Sequence, residues 1–186
     1  MRKITVDFNA PFTLTFTFAA CLATIVGGFS DGAARTLFMV GAPMDWGNPF
    51  DYIRLFSYIL GHADWTHFAG NFTLILLVGP ILEEKYSTRR IVIMTLVTAV
   101  ITGLLHAVFS SGGLMGASGI AFMLILLSSL TNLKTGSLPL TFVIVALLYG
   151  GNEIYMAITQ QDNISQFAHL AGGAMGAIFG FFLRGK

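Results

Sequence analysis

The stretch Gly116-Ala117-Ser118-Gly119 lies inside a run from Ile91 to Leu133 that contains no Asp, Glu, Lys or Arg. A second uncharged run, from Asn163 to Leu183, contains His169. Uncharged runs of this length are typical of helices that cross a lipid bilayer. A polar side chain in such a helix must find a partner, because an unpaired polar group there costs free energy. The sequence therefore predicts that a serine and a histidine meet within a membrane, which indicates hydrolysis there.

The composition supports membrane integration over the whole chain. Of 186 residues, 55% are hydrophobic and only 10% are charged, and the mean hydropathy is +0.77. A soluble domain usually has about 25% charged residues. We expect one membrane domain over residues 1–186. Cys21 is the only cysteine, which excludes an internal disulfide and a cysteine metal cluster, and the net charge of +1 gives no basis for nucleic-acid binding.

Six charge-poor segments are each close to the roughly 20 residues that a membrane helix needs. They lie at about Phe12–Phe29, Trp65–Leu82, two within Ile91–Leu133 that are separated at Ser110–Gly113, Leu138–Met156 and Ser165–Leu183. The pattern predicts an all-α bundle of six transmembrane helices. Between the first two spans, residues 30–61 contain several aromatic residues, which favour the headgroup level. We expect an irregular outer loop that is partly embedded in the membrane.

The Lys and Arg residues predict the orientation of the spans, because cytoplasmic loops carry an excess of both. If the N-terminus is cytoplasmic, eight of the ten Lys and Arg residues fall on the cytoplasmic side. These eight are Arg2, Lys3, Lys85, Arg89, Arg90, Lys134, Arg184 and Lys186. Only Arg35 and Arg54 fall on the outer side. An even number of spans then places the C-terminus in the cytoplasm as well.

This topology places three polar residues at a similar depth, just below the outer surface. His67, Ser118 and His169 lie near the outer ends of spans two, four and six. Asn71 is four residues after His67, so it shares the same helix face. Each of these residues has an ordinary structural explanation on its own, such as a hydrogen bond back to a carbonyl or a packing contact between helices. Their convergence at one depth favours an assembled site.

The residue types in this group suit acyl transfer. A serine hydroxyl is a weak nucleophile until a base removes its proton, and His169 is the available base. Close packing of spans four and six is indicated by small residues that recur every four positions, namely Ala168, Gly172, Gly176 and Gly180. Backbone N–H groups at the start of span four, the Asn71 amide and the His67 ring are candidate donors to an oxyanion. No carboxylate lies at this depth, so a Ser–His dyad is favoured over a triad.

A metal site is the alternative reading of the histidines. His62 and His67 are five residues apart, which on a single helix would direct them to different sides, and there is no His-Glu-x-x-His run. We therefore expect neither a metal nor another cofactor. The charged group Glu83-Glu84-Lys85 is interpreted as a solvated cytoplasmic turn, although Glu83 is able to form a local hydrogen bond.

At this point the chain resembles the rhomboid family of intramembrane serine proteases. The segment from His62 through His67 to Asn71 matches the family pattern His-x4-His-x3-Asn, and Gly116-Ala117-Ser118-Gly119 matches Gly-x-Ser-Gly. The segment Ala168-His169-Leu170-Ala171-Gly172, followed by Gly176, matches Ala-His-x-x-Gly-x-x-x-Gly. Glu83 and Arg54 fall where the family has a glutamate and an arginine. The resemblance extends from about Thr13 to Phe182.

The resemblance implies a six-helix fold with a water-filled cavity that opens to the outside. Ser118 would be the nucleophile and His169 the base. His67, Asn71 and Gly116 would contribute to the oxyanion and substrate site, while His62, Arg54, Glu83, Gly172 and Gly176 would be structural. The substrates would be single-span membrane proteins. The chain would be a minimal prokaryotic form located in the bacterial cytoplasmic membrane.

Three positions depart from the family pattern, although none removes a reacting group. Ile53 replaces the Trp of a Trp-Arg pair, Phe122 replaces a Tyr four residues after the serine, and Ser87 replaces a frequent Gly. The alternative function is that of a non-catalytic rhomboid-like protein that binds or escorts membrane helices. Retention of both Ser118 and His169 argues against it. A small transporter is disfavoured, because the chain lacks an internal repeat with paired broken helices.

Overall fold

The computed structural model describes residues 6–29, 31–131, 133, 137–159 and 164–183, most of which are helical. The helices are α1 (Pro11–Phe29), α2 (Asp31–Phe38), α3 (Pro49–Ser57), α4 (Trp65–Tyr86), α5 (Thr88–Phe109), α6 (Ser118–Ser129), α7 (Leu140–Val145), α8 (Gly151–Thr159) and α9 (Ile164–Phe182). A π-helical turn, Ala146–Gly150, joins α7 to α8. Two short strands, β1 (Val40–Ala42) and β2 (Gly112–Leu114), complete the described elements.

Each of the six predicted apolar segments contains helical residues. Helices α1, α4 and α5 are long and apolar enough to cross a membrane, while α6 and the Leu140–Gly150 segment are shorter apolar helices. In the most apolar 18 residues of α1 and of α4, only 28% of the residues are buried within the protein. Most of the apolar side chains of these two helices therefore face outward. Outward-facing apolar helices require a lipid environment. Among the residues used to predict orientation, Arg2, Lys3, Lys134, Arg184 and Lys186 lie outside the described residues.

Helix α6 occupies the centre of the protein and is the helix most completely covered by others. Its buried residues are Gly119, Ile120, Ala121, Met123, Leu124, Ile125, Leu126 and Leu127. Helix α9 lies against it with almost no space between the backbones. A Cβ atom added to Gly172 would lie 2.1 Å from the Gly119 carbonyl oxygen, and one added to Gly176 would lie 2.2 Å from the Met123 carbonyl oxygen. The predicted small-residue contact between these helices is present.

Glu83 contradicts the prediction of a solvated turn, because its side chain is only 4% exposed. Its carboxylate accepts hydrogen bonds from the Phe12 and Thr13 backbone N–H groups at 2.9 and 3.0 Å. It also accepts from the Thr13 and Thr88 hydroxyls at 2.9 and 2.7 Å. The first N–H groups of a helix have no partner within the helix, and a carboxylate is favoured there by the helix dipole. Glu83 therefore caps α1 and ties α1, α4 and α5 together at one end.

Ser87 makes the sharp reversal between α4 and α5. Its φ is +79°, the only positive φ among the described non-glycine residues. Side chains rarely adopt this conformation, whereas glycine does so without steric cost. The departure from glycine at this position therefore places strain in the turn. The strained turn is adjacent to Glu83, whose hydrogen bonds hold both helices.

The predicted irregular loop of residues 30–61 is more regular than expected. It contains α2, β1 and α3, although Ser30 lies outside the described residues. Asn48 caps α3 by accepting from the Phe50 N–H, and Pro49 occupies the first helical position, where proline is favoured. Strand β1 pairs antiparallel with β2, with Val40 opposite Leu114, so the protein is not wholly α-helical. This pairing fixes the loop beside the segment that leads into Ser118.

We predict that Gly176→Ala destabilises the protein, because its new Cβ would overlap the Met123 carbonyl. Overpacking of this kind costs about 1–3 kcal/mol. Gly173→Ala is the matched control, since a Cβ there would lie an ordinary 3.7 Å from the Leu126 side chain. Unfolding in mixed detergent micelles should show the loss for Gly176→Ala alone. Equal stability of the two variants would contradict the close contact of α6 and α9.

We also predict that Glu83→Gln lowers the free energy of unfolding by about 2–4 kcal/mol. Each carboxylate oxygen of Glu83 accepts two hydrogen bonds. In glutamine an NH2 group replaces one of these oxygens, cannot accept the two hydrogen bonds, and would face the two donors. Glu84→Gln, at an exposed neighbouring position, should change stability by less than about 0.5 kcal/mol. The same unfolding assay measures both variants, and a similar effect in each would refute the capping role of Glu83.

Candidate active site

The N-terminus of α4 places His67 and Asn71 on one face. The side chain of Asp64 caps this helix by accepting a hydrogen bond from the His67 backbone N–H at 2.7 Å. Asp is a favoured N-cap residue, and its position three residues before His67 fixes where the helix begins. His67 and Asn71 are one turn apart, as predicted. Sequence reasoning missed Asp64, although an Asp just before an apolar helix is a recognisable start signal.

The segment before Ser118 packs directly against these two side chains. A Cβ added to Gly116 would lie 2.9 Å from His67 Nε2 and 3.7 Å from Asn71 Nδ2. The φ of Gly116 is +132°, which side chains rarely adopt, so both the space and the backbone conformation require glycine here. The Gly116 N–H donates to the Tyr58 carbonyl at 3.0 Å. This backbone contact has no sequence signal, and it holds the segment against the end of α3.

His62 holds the same segment from the other side, and its position corrects the prediction from spacing. It lies before α4 rather than on it, so the five-residue separation does not direct the two rings apart. The ring centroids of His62 and His67 are 5.1 Å apart. The Ala117 backbone N–H donates to His62 Nε2 at 3.3 Å, and His62 Nδ1 lies 3.2 Å from the Leu60 carbonyl oxygen. Since Nε2 accepts, Nδ1 carries the proton, and His62 is neutral.

The environment of His62 favours this neutral form. Burial lowers the pKa of His62 to about 4, and the neighbouring His67 contributes in the same direction. A second proton would place an Nε2–H group against the Ala117 N–H, with two donors facing each other.

Among the described residues, no group of three or more His, Cys, Asp or Glu side chains is arranged to hold a metal ion.

Ser118 is the first residue of α6, as the sequence predicts. The preceding residue, Ala117, offers no side-chain cap, so no capping side chain accepts a hydrogen bond from the first N–H groups of α6. Free N–H groups at a helix start favour negative charge. The amide nitrogen of Asn71 is also buried, and it has no hydrogen-bond partner among the described residues. Both features supply donors beside Ser118.

The close contact of α6 and α9 determines the position of His169. A Cβ added to Gly119 would lie 3.2 Å from the Ala168 carbonyl oxygen, so the residues next to Ser118 and His169 in the chain are in contact. The His169 ring stacks on Phe122, with centroids 4.4 Å apart and an interplanar angle of 6°. Phe122 follows Ser118 by one helical turn on the same side of α6. Phe122, which departs from the Tyr of the family pattern, therefore still stacks on the histidine.

The remaining predicted residues lie away from this group. Arg54 on α3 forms an ion pair with Asp51 and donates from Nε to the Thr36 carbonyl at 2.7 Å, which links α3 to α2. Glu83 is at the opposite end of α4 from His67. Ile53 is 58% exposed, so more than half of its side chain faces the surroundings of the protein. Gly172 and Gly176 lie on α9 against the Gly119 and Met123 carbonyls of α6.

The pKa of His62 predicts a specific dependence of stability on pH. Between about pH 6.5 and pH 4 the unfolded chain binds a proton at this residue while the folded protein excludes it. Folding is therefore disfavoured as the pH falls through this range, by up to about 1.4 kcal/mol per pH unit. The stability difference between wild type and His62→Gln should shrink accordingly in unfolding titrations. A difference that stays constant from pH 7 to pH 4.5 would exclude a buried neutral His62.

Comparisons with known proteins identify the family. The family model described as Rhomboid domain matches residues 49–186. RHOMBOID-like protein 1 of Arabidopsis thaliana is 30% identical over 138 residues, covering 69% of this chain and 33% of that protein. Rhomboid-related protein 1 of Caenorhabditis elegans is 32% identical over 139 residues, covering 69% of this chain and 39% of that protein. Rhomboid protease GlpG of Enterobacter sp. (strain 638) is 22% identical over 178 residues, covering 92% and 62%.

The chain thus spans between about a third and three fifths of the length of these curated relatives. The matched segment begins at α3 and includes Ser118, His169 and the residues packed around them. The family match extends over well more than half of the chain and agrees with the three motifs predicted from the sequence. This protein belongs to the rhomboid family.

Proposed function

We propose that the protein is an intramembrane serine endopeptidase that cleaves transmembrane segments of other membrane proteins with a Ser118–His169 dyad. The observation that carries the proposal is the packing of Gly116 against His67 and Asn71, two residues before Ser118 at an uncapped helix start. The name of one relative, Rhomboid protease GlpG, supports the same activity. The Gly172 contact with Gly119 supports the placement of α9, and so of His169, beside this helix turn.

The proposed reaction follows from the donors and acceptors in the site. His169 takes the proton from the Ser118 hydroxyl as Oγ attacks a substrate carbonyl carbon, and the carbonyl oxygen becomes an oxyanion. The Asn71 amide, the His67 ring and the first N–H groups of α6 donate to that oxygen. His169 then gives its proton to the leaving amine as the C–N bond breaks. Water hydrolyses the acyl-enzyme with His169 again acting as the base.

We propose transmembrane helices as the substrate class, since the site lies on helices that require a lipid environment. A peptide bond in a membrane helix is shielded by the helix itself, so the helix must unwind before Ser118 can attack it. Unwinding exposes backbone groups to the bilayer, and its cost is lowest for segments with weak helix propensity. Segments rich in glycine and other helix-weak residues are therefore the expected cleavage sites.

We further propose that residues 1–186 form one six-span unit with cytoplasmic termini and a site that opens to the outer side. The Glu83 hydrogen bonds to α1 support the single unit, because α1 lies outside the matched segment. Lys85, Arg89 and Arg90 surround the turn between α4 and α5, whereas His67 lies at the other end of α4. This charge asymmetry supports the orientation.

The proposed activity predicts that a serine-reactive fluorophosphonate labels wild-type protein in detergent, as measured by intact mass. Ser118→Ala should abolish labelling, and His169→Ala should slow it by a factor of about 1,000 or more, since the hydroxyl then lacks its base. Ser128→Ala, on the same helix, is the control, because that hydroxyl donates to the Ile125 carbonyl. This control should label at the wild-type rate.

If folded wild-type protein is not labelled by the fluorophosphonate in detergent or in lipid, the proposed activity is wrong. The non-catalytic helix-binding alternative would then be favoured. A charged form of the reagent that cannot cross membranes tests the orientation in sealed vesicles. It should label Ser118 only from the side opposite to Lys85. Labelling from the Lys85 side alone would invert the proposed topology.

A further inference from the structure

The fifth apolar segment consists of α7, the π-helical turn and α8, and its first half is little covered by the rest of the described structure. No residue of α7 or of the π-helical turn is buried. Leu147 and Leu148 on this turn are 69% and 66% exposed. In contrast, most residues of α6 are buried. Helix α7 and the π-helical turn are therefore held by fewer buried side chains than α6.

One side chain of this segment reaches the core of the site. The Tyr149 ring meets Phe122 edge to face, with centroids 5.4 Å apart and an interplanar angle of 87°. Phe122 in turn stacks face to face on His169. Edge-to-face and stacked contacts are the two arrangements that aromatic rings favour. A continuous series of three rings thus joins the fifth segment to the imidazole.

Phe122 is the middle ring of this series, and its orientation depends on its contact with Tyr149. Phe122 has no hydroxyl with which to form a hydrogen bond, so packing alone orients its ring. On one side is a cavity of about 200 Å³, bounded by Phe142, Tyr149, His169 and Gly173 among others. Because this space is open, the rings have room to turn when Tyr149 moves away.

The π-helical turn determines where Tyr149 points. A π-helical turn contains an additional residue, which changes the direction of the side chains on it, and such turns are frequent at functional sites. The turn ends at Gly150, and Gly151 begins α8. A Cβ added to either glycine would meet no atom within 4 Å, so close packing does not explain the pair. Two adjacent glycines do permit the backbone to bend beside Tyr149.

We propose that Tyr149 is a positioning residue that acts through Phe122 to hold the His169 ring in its reactive orientation. Loss of the Tyr149 contact would release Phe122 and lower the reactivity of Ser118. This proposal rests on the proposed protease function.

The test compares Tyr149→Leu, Tyr149→Phe and Leu148→Ala. Tyr149→Leu keeps an apolar side chain in lipid but removes the ring, Tyr149→Phe keeps the ring, and Leu148→Ala alters an exposed neighbour that is not part of the ring series. The first readout is the rate of fluorophosphonate labelling of Ser118, which needs no docking of a membrane helix. Tyr149→Leu should slow it roughly tenfold, while the other two variants should remain within about twofold of wild type.

The second readout does not depend on activity. The ring-proton NMR signal of His169, assigned with His169→Gln, reports the position of the stacked Phe122 ring through its ring current. Tyr149→Leu should move this signal, and Tyr149→Phe and Leu148→Ala should leave it in place. Melting of each variant in detergent confirms that it is folded.

The outcomes separate this proposal from the protease function. If wild type is labelled at Ser118 but Tyr149→Leu leaves the labelling rate or the His169 signal unchanged, the positioning role is wrong and the protease function stands. If Leu148→Ala has the same effects as Tyr149→Leu, the effect is general to the segment and the role of the ring is refuted. If wild type takes no label, the protease function fails, and the claim on reactivity fails with it whatever the NMR signal shows.

Discussion

The close backbone contact between α6 and α9 is the constraint on which the rest of the structure depends. In lipid, apolar side chains gain little from association, so helices pack tightly only where small residues let their backbones approach. Gly172 faces the Gly119 carbonyl and Gly176 faces the Met123 carbonyl, with no room for a Cβ atom at either position. This contact fixes the height and rotation of α9 relative to α6. His169 and Ser118 are held by the same two helices, so their geometry follows from it.

A second set of contacts fixes the segment that leads into Ser118. Tyr58 accepts from Gly116, His62 accepts from Ala117, and β2 pairs with β1. The backbone polar groups of this irregular segment would be costly to leave unpaired within a membrane. The surrounding loops meet that requirement without using Asn71, whose amide nitrogen has no hydrogen-bond partner among the described residues. An unsatisfied donor is tolerated where an oxyanion is proposed to form, which is where a site for acyl transfer needs it.

The sequence predicts those features of the fold that arise from local pattern, and it misses those that join distant segments. Hydropathy located the helices of the six apolar segments, and glycine spacing predicted the α6–α9 contact. The interpretation of Glu83 was wrong because its partners, Phe12 and Thr13, are about 70 residues away in the chain. The helical position assumed for His62 was wrong because the cap at Asp64 was overlooked. The two short helices of the outer loop were missed although Asn48-Pro49 is a readable start signal. The Tyr149 contact depends on a π-helical turn that no pattern indicates.

The hydrogen bonds that stabilise the bundle and the groups proposed for the reaction lie at opposite ends of it. At the Glu83 end, α1, α4 and α5 are joined by charge-assisted hydrogen bonds, which are among the strongest that a protein forms. At the Ser118 end, polar donors are left available, and the neighbouring fifth segment buries none of its α7 or π-turn residues. A substrate helix that enters there would displace weak contacts with lipid, while the α6–α9 contact stays intact. The hydrogen bonds of Glu83 can therefore offset the free-energy cost of leaving hydrogen-bond donors unpaired near Ser118. The strained turn at Ser87 lies at the Glu83 end of the bundle, where the surrounding hydrogen bonds can hold it in place.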